Sequence, residues 1–448
     1  MPQALEPHDR TASLEDAVRC ALEESARLGA SEAEADASIG QGLGVTVRLG
    51  DVETIEYQRD RGMAVTVYFG RRKGSASTAD LSAAAVRASV EKACALARYT
   101  AEDPYAGLAD PEALARDIPD LDLDHPWALT AEAAIDIAKR CERSGMAVDA
   151  RITNSEGASV STQRHTAVYG NSLGFLAGYS GTSHSVSCAL LAQEGEQMQR
   201  DYWYSAARDA LELESAEAIG VAAGERACAR LGARRLTTRR APVLFSPEMA
   251  RGLVQHFLAA VSGSSQYRKA SFLLDAAGEP VFPAFVRMSE RPHIAKGLGS
   301  APFDAEGVAT RDRELIEAGR LQGYVLGSYS ARRLGLKTTG NAGGIHNLLV
   351  GSDAACSREA LLGQMGSGLW VTELMGQGVN GVTGDYSRGA SGFWVENGAI
   401  AFPVQEVTIA GNLRQMFEQI VALGDDIDAR ASIRCGSLLV GEMTIAGE

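Results

Sequence analysis

Residues 44–70 read GVTVRLGDVETIEYQRDRGMAVTVYFG. Val45, Val47 and Leu49 alternate with Thr46 and Arg48, Gly50 and Asp51 offer a turn, and Met63, Val65, Val67 and Phe69 alternate again. A period of two places every second side chain on one face, so the stretch predicts antiparallel strands with a single buried surface. Helices are expected on both sides of it. Upstream, Leu14, Val18, Ala21 and Leu22 fall on one helical face behind a capping-box pair at Ser13 and Asp16, with Gly29 as the stop. Downstream, Val86, Val90, Ala93 and Ala97 repeat at helical spacing. Residues 1–100 therefore read as a helix, β-meander, helix domain.

Four prolines (Pro104, Pro111, Pro119, Pro126) and the acidic Asp117, Asp120, Asp122 and Asp124 follow. Fixed φ angles and like-charge repulsion disfavour regular structure, which makes 101–128 a linker. Over 129–235 the element order returns in a middle α+β domain. Thr130 caps a helix carrying Ala134, Ile137, Ala138 and Cys141, strands occupy about 148–204, and another helix runs over 215–231. From 236 to 448 the pattern is β-rich, with one helix expected at 247–260 and a glycine-rich signature between Gly363 and Gly398, well above the ~7% average. Those glycines fit tight turns, or a backbone surface open to a ligand or peptide. The fold class is α+β, with layered sheet-and-helix N-terminal domains before a β-rich C-terminal domain.

The chain carries 43 basic and 57 acidic residues, a formal charge of −14. Nucleic-acid binding needs a basic surface that displaces counterions, so direct contact with DNA or RNA is not expected. No apolar run approaches the roughly 18 residues of a membrane helix. The polar start, with Glu6, His8 and Asp9, is unlike an export signal. Seven scattered cysteines suggest reduced thiols and a cytoplasmic protein.

Familiar catalytic patterns are missing. Gly376, Gly378 and Gly381 match GxGxxG, but 382–394 reads as turn and strand rather than the helix a dinucleotide site requires. No GxSxG elbow occurs. Hydrolytic zinc needs two imidazoles on one helical turn with a further ligand. The seven histidines are dispersed, and no two share a turn. Neither a catalytic nor a metal residue is assigned, and no cofactor is expected in this chain.

The most informative block is MGSGLWVTELMGQGVN at 365–380, continuing as VTGDYSRGASGFWVENG at 382–398. It closely resembles the C-terminal signature of the metal-free PmbA (TldE) branch of the PmbA/TldD metallopeptidase family, once called modulators of DNA gyrase. Further family-like segments are RRKGSASTAD (71–80), ARYTAEDPYAGLAD (97–110), SAPFDAEGVAT (300–310) and TTGNAGG (338–344), so the resemblance spans nearly the whole chain. It implies a cytoplasmic metallopeptidase in which a TldD-like catalytic subunit holds the metal, zinc by expectation, on an HExxxH helix. Its substrates would be small unfolded proteins or peptide precursors. Laid over residues 252–269, that helix places its ligand slots near Gln255 and Ala260 and its glutamate slot near His256. An amide and a methyl cannot replace paired imidazoles. The sister's later cysteine would fall near 421–428, where this chain has none, and Cys435 lies in what reads as the closing strand.

This chain is therefore expected to support its partner and wall a peptide channel. Asp385, Tyr386 and Arg388 supply an acceptor, a phenol and a forked donor for a peptide or partner surface, with Asn341 and His346 as weaker candidates. A self-contained turn network explains Asp385, Tyr386 and Arg388 equally well. Two other functions stay open: a stand-alone hydrolase using Glu373, Asp385 or Glu396, and a regulatory protein that binds gyrase. A homodimer of the isolated chain is a prior for an acidic enzyme subunit.

Overall fold

The computed structural model describes residues 7–447, with side chains from Thr11 onward. The N-terminal stretch compared above with an export signal lies outside the described side chains. The first elements are α1 (Pro7–Arg27), β1 (Glu32–Arg48), β2 (Asp51–Phe69), β3 (Arg72–Thr78) and α2 (Ala83–Tyr99). Because α1 already begins at Pro7, Ser13 and Asp16 sit inside the helix and form no capping box. Gly29 does end it, at φ +83°. Its N–H reaches the Ala26 carbonyl, and that of Ala30 reaches Ser25, which satisfies the last turn.

Leu49 departs from the alternation expected of it. It sits with Gly50 in a two-residue hairpin turn where both φ angles are positive, and its side chain is exposed. Such primed turns match the twist of the flanking strands but strain a branched residue. The carboxylate of Glu142, almost fully buried, accepts the N–H groups of both Leu49 and Gly50 at 2.8 Å and holds the turn.

The next segment supplies α3 (Ala131–Met146), β4 (Ile152–Asn171), β5 (Leu176–Glu194), β6 (Gln197–Ala207) and α4 (Ala216–Ala229). Thr130 caps α3 by accepting the Ala133 N–H. The two N-terminal segments are joined edge to edge. β1 pairs with β4 from Glu34 to Val47, giving one six-stranded sheet in the order β3-β2-β1-β4-β5-β6. One face is covered by helices. Ala33, Ala35 and Ala37 pack on α1 and α2, while Val45 and Val47 pack beside α3 and α4.

The stretch between 101 and 128 has only one 3₁₀ turn, Pro111–Ala113, yet it is packed. Ala106, Leu108, Leu121 and Leu123 are buried. Arg332 donates to the carbonyls of Tyr105, Gly107 and Leu108 at 2.7–2.9 Å. Asp124, one of the acidic run, is held by Arg164. The charge of Asp124 is thus offset by pairing, and irregular backbone is pinned by side-chain donors.

The C-terminal part comprises β7 (Arg239–Phe245), α5 (Pro247–Ala260), α6 (Gly263–Tyr267), β8 (Arg287–Glu290), β9 (Arg313–Glu317), β10 (Arg320–Leu321), α7 (Ser328–Leu334), β11 (Leu348–Gly351) and α8 (Arg358–Met365). It ends with β12 (Gly368–Met375), β13 (Asp385–Glu396), β14 (Ala399–Asn412), α9 (Leu413–Glu418), β15 (Ile420–Leu423), β16 (Ile433–Arg434) and β17 (Leu438–Ala446). The helix at 247–260 is as expected; α6 to α9 are additional, each too short to print a helical period. Cys435 lies outside the closing strand, in an isolated bridge to Asp428 ahead of β17.

Strands β14-β13-β12-β7-β17 form a sheet that closes on itself, because Thr408–Ala410 of β14 also pairs with β17. The closing contact is short, and the sixth strand, β15, pairs with the other end of β17 as a brief edge. A smaller sheet, β10-β9-β8-β11-β16, packs on the same core. After the GxGxxG match come a turn and then β13, with no helix to receive a pyrophosphate.

Candidate functional site

The face of the N-terminal sheet away from its helices borders a cleft of about 520 Å³. On the sheet side it is lined by Asp36 of β1, Ala167 and Tyr169 of β4, and Tyr179 of β5; on the other by Phe303, Asp304 and residues 342–346. Pairing explains the grouping. Asp36 lies opposite Tyr169, and Ala167 lies opposite Tyr179. Directly opposed residues share a face, so these four side chains rise together. The rings of Tyr179 and Phe303 meet edge to face at 5.6 Å.

Carboxylates dominate the electrostatics. Burial pushes the Asp304 carboxyl up to about 6, although it accepts the backbone N–H groups of Ala342, Glu306 and Val308. Burial also raises Asp36 and its neighbour Glu34, which accepts the hydroxyls of both Tyr68 and Tyr169 at 2.8 Å. None of these groups was singled out from sequence. The available signal was the alternation of Glu34 and Asp36 with buried alanines on β1.

His346 lines the cleft and Asn341 lies behind it. Both converge on Glu290 of β8, which is 1% exposed. Oε1 of Glu290 accepts from Asn341 Nδ2 at 2.7 Å and from the His346 N–H at 2.9 Å, and His346 Nδ1 lies 3.0 Å away. Oε2 accepts from Arg313 Nε at 2.6 Å. Burial alone would raise this carboxyl, but His346 and Arg313 outweigh it and hold it at about 2. An ionised carboxylate only accepts, so Nδ1 of His346 carries a proton and donates to Glu290. The cluster braces the loop that forms one cleft wall.

Asp385, Tyr386 and Arg388 begin β13 and do not act as one group. Asp385 is exposed and accepts from the Thr383 hydroxyl at 2.6 Å. Arg388 donates to the Met375 carbonyl at 3.2 Å. Tyr386 turns inward, 2% exposed, against His256 of α5, their rings edge to face at 6.2 Å. Its buried hydroxyl has no partner, and burial pushes it up to about 12. Since the hydroxyl forfeits its bonds to water, Tyr386→Phe is expected to be neutral or stabilising by up to about 1–2 kcal/mol. A fall in thermal midpoint would show that the hydroxyl is in fact bonded.

The face of α5 does not fit a hydrolytic cation. Gln255 is exposed, Ala260 is buried in the core, and His256 is held towards its neutral form by burial and then by Arg388. Among the described residues no three His, Cys, Asp or Glu side chains converge in a metal-holding group. Other carboxylates considered as acid or base are engaged: Glu373 pairs with Arg230, and Glu396 accepts from Trp394 Nε1 at 3.1 Å.

Family models match three consecutive segments: PmbA/TldA metallopeptidase domain 1 at 33–97, the central domain at 124–231 and the C-terminal domain at 238–447. Metalloprotease PmbA of Escherichia coli O157:H7 is 49% identical over 97% of this chain and 96% of that protein. This chain belongs to the PmbA/TldD metallopeptidase family. A PmbA homologue from Haemophilus influenzae is 46% identical over 97% of the chain and 96% of the relative. The TldD homologue from the same organism is 24% identical over 42% of the chain and 44% of that protein. Among solved structures, a Bacteroides thetaiotaomicron protein named for a proposed role in modulating DNA gyrase superposes with TM-score 0.91 at 26% identity, covering 97% of this chain and 99% of that one. TldE from Thermococcus kodakarensis gives 0.84 at 21% identity, over 96% and 100%.

Proposed function

We propose that this chain is the metal-free subunit of a cytoplasmic metallopeptidase, paired with a TldD-like catalytic subunit that holds the metal. The observation that carries the reading is the α5 face, where Gln255, His256 and Ala260 present an amide, a ring shielded by Tyr386 and a buried methyl. The substrates are small unfolded proteins or peptide precursors, and the cleft bordered by Asp36, Tyr179 and His346 is a wall of their channel. Asp385 and Arg388, on accessible surface, are assigned to contact with the partner or the peptide. The unpaired state of the seven cysteines fits a reducing compartment.

The test is a peptidase assay on an unfolded peptide with this chain alone, with a TldD-like subunit alone, and with both. Cleavage is expected from the mixture only, with loss on chelation. Chelator-resistant cleavage by this chain alone would replace the proposal with a carboxylate hydrolase. Stable gyrase capture without peptidase activity in the mixture would replace it with a regulatory role.

A further inference from the structure

We propose that the cleft between β1, β4, β5 and the 342–346 loop is a receptor for a cationic side chain, a lysine or arginine of the bound peptide. This rests on the peptide-channel reading above and adds a substrate class to it. The first support is charge composition. Asp36 and Asp304 line the cleft, Glu34 lies two positions along β1 from Asp36, and no lysine or arginine lines it. Glu306 adds to the negative field felt by Asp304. Like charges within low-dielectric walls focus their field into the opening.

The two lining carboxylates differ in their bonding. Asp304 is satisfied by three backbone N–H groups and adds negative charge to the wall above pH about 6. Asp36 is accessible at the wall, and burial by its surroundings raises its carboxyl without a lysine or arginine in the cleft to offset this. A partly desolvated carboxylate without a counter-charge is stabilised by any cation that can reach it. Aspartate is thus the anchor, and the surrounding charges exclude acidic ligands.

Shape supplies the rest. Ala167 leaves a hollow between Tyr169, two residues along β4, and Tyr179, opposite on β5. Phe303 closes the aromatic wall against Tyr179. A long aliphatic stem covers such rings while its charged end reaches the carboxylate, and ring faces themselves attract cations. A small inorganic cation would leave this apolar surface uncovered. The Tyr169 hydroxyl already donates to Glu34, so the ring is held in place before a ligand arrives.

Titration calorimetry on the full-length chain with a short neutral-ended lysine peptide and its norleucine twin tests the assignment. The lysine peptide is expected to bind about tenfold more tightly, and Asp36→Asn is expected to remove most of that preference without changing the circular dichroism spectrum. Equal affinity for the twins, no binding of either, or a lysine preference that survives Asp36→Asn would each overturn it. The twin comparison uses the unaltered protein, so a misfolded variant cannot rescue the idea. Equal affinity for the twins together with their cleavage by the two-subunit complex would leave the peptidase proposal standing while the cation receptor fell.

Discussion

Glu290→Ala is expected to lower stability by about 3–5 kcal/mol, because it removes one partner of a buried ion pair and leaves the other in place. Arg313 would keep its bond to the Tyr324 carbonyl, but its Nη2 is already without a partner, and the guanidinium would lose its counter-charge. Asn341 Nδ2 would keep only the Gly344 carbonyl, and the His346 N–H would lose its acceptor. Glu290→Gln keeps the shape but turns one accepting end into a donor facing donors, so a smaller loss is expected. The pair also predicts an acid sensitivity. A carboxyl held near 2 in the fold contributes stability above its ordinary value of 4.5, and that contribution is lost as pH falls from there towards 2. Glu290→Ala should flatten this part of the stability profile. Urea titrations at pH 7 and pH 3.5 measure both effects. An unchanged midpoint in the variant at pH 7 would refute the bracing role.

Gly392→Ala is the second large effect. A Cβ built there stands 1.9 Å from the Trp370 carbonyl oxygen, 2.9 Å from its carbon and 3.0 Å from Val371 Cα. All three atoms belong to the paired backbone of β12, where Gly392 opposes Val371 beside a register shift. No rotamer change relieves such a contact, so β12 and β13 must separate within the closed sheet. Overpacking typically costs 1–3 kcal/mol, and an immovable backbone places this case at about 3 or above. Gly363 is the internal control. It lies inside α8 with no atom within 4 Å of its added Cβ, so Gly363→Ala should stabilise by up to about 1 kcal/mol. Tryptophan fluorescence during thermal unfolding reads both variants. Equal shifts from the two would mean that glycine density, and not close approach, matters in this block.

Particular residues show how far local pattern reaches. Alternation located parts of β1 and β2 and helical spacing located α2 and α3, because burial of one face is written every second or every third and fourth residue. It misplaced Leu49, whose hydrophobicity continues the strand pattern while Glu142, more than ninety positions away, holds its backbone in a turn. It started α1 at Ser13 because a capping pair also satisfies the composition of a helix interior. The candidates at 338–346 and 385–388 came from recognisable blocks. The partners that give those residues their roles, Glu290 for Asn341 and His256 for Tyr386, lie far from them in sequence.

The α+β class, the family resemblance and the lack of an HExxxH helix are legible without any structure, since each depends on residue types at fixed short spacing. Tertiary structure alone decided that the first two segments share one sheet, that a sheet in the C-terminal part closes on itself, and that Asp36, Tyr179 and Asp304 border one cleft. Strand partners separated by a hundred residues leave no mark on local periodicity, and a carboxylate's charge environment is set by whatever the fold brings beside it.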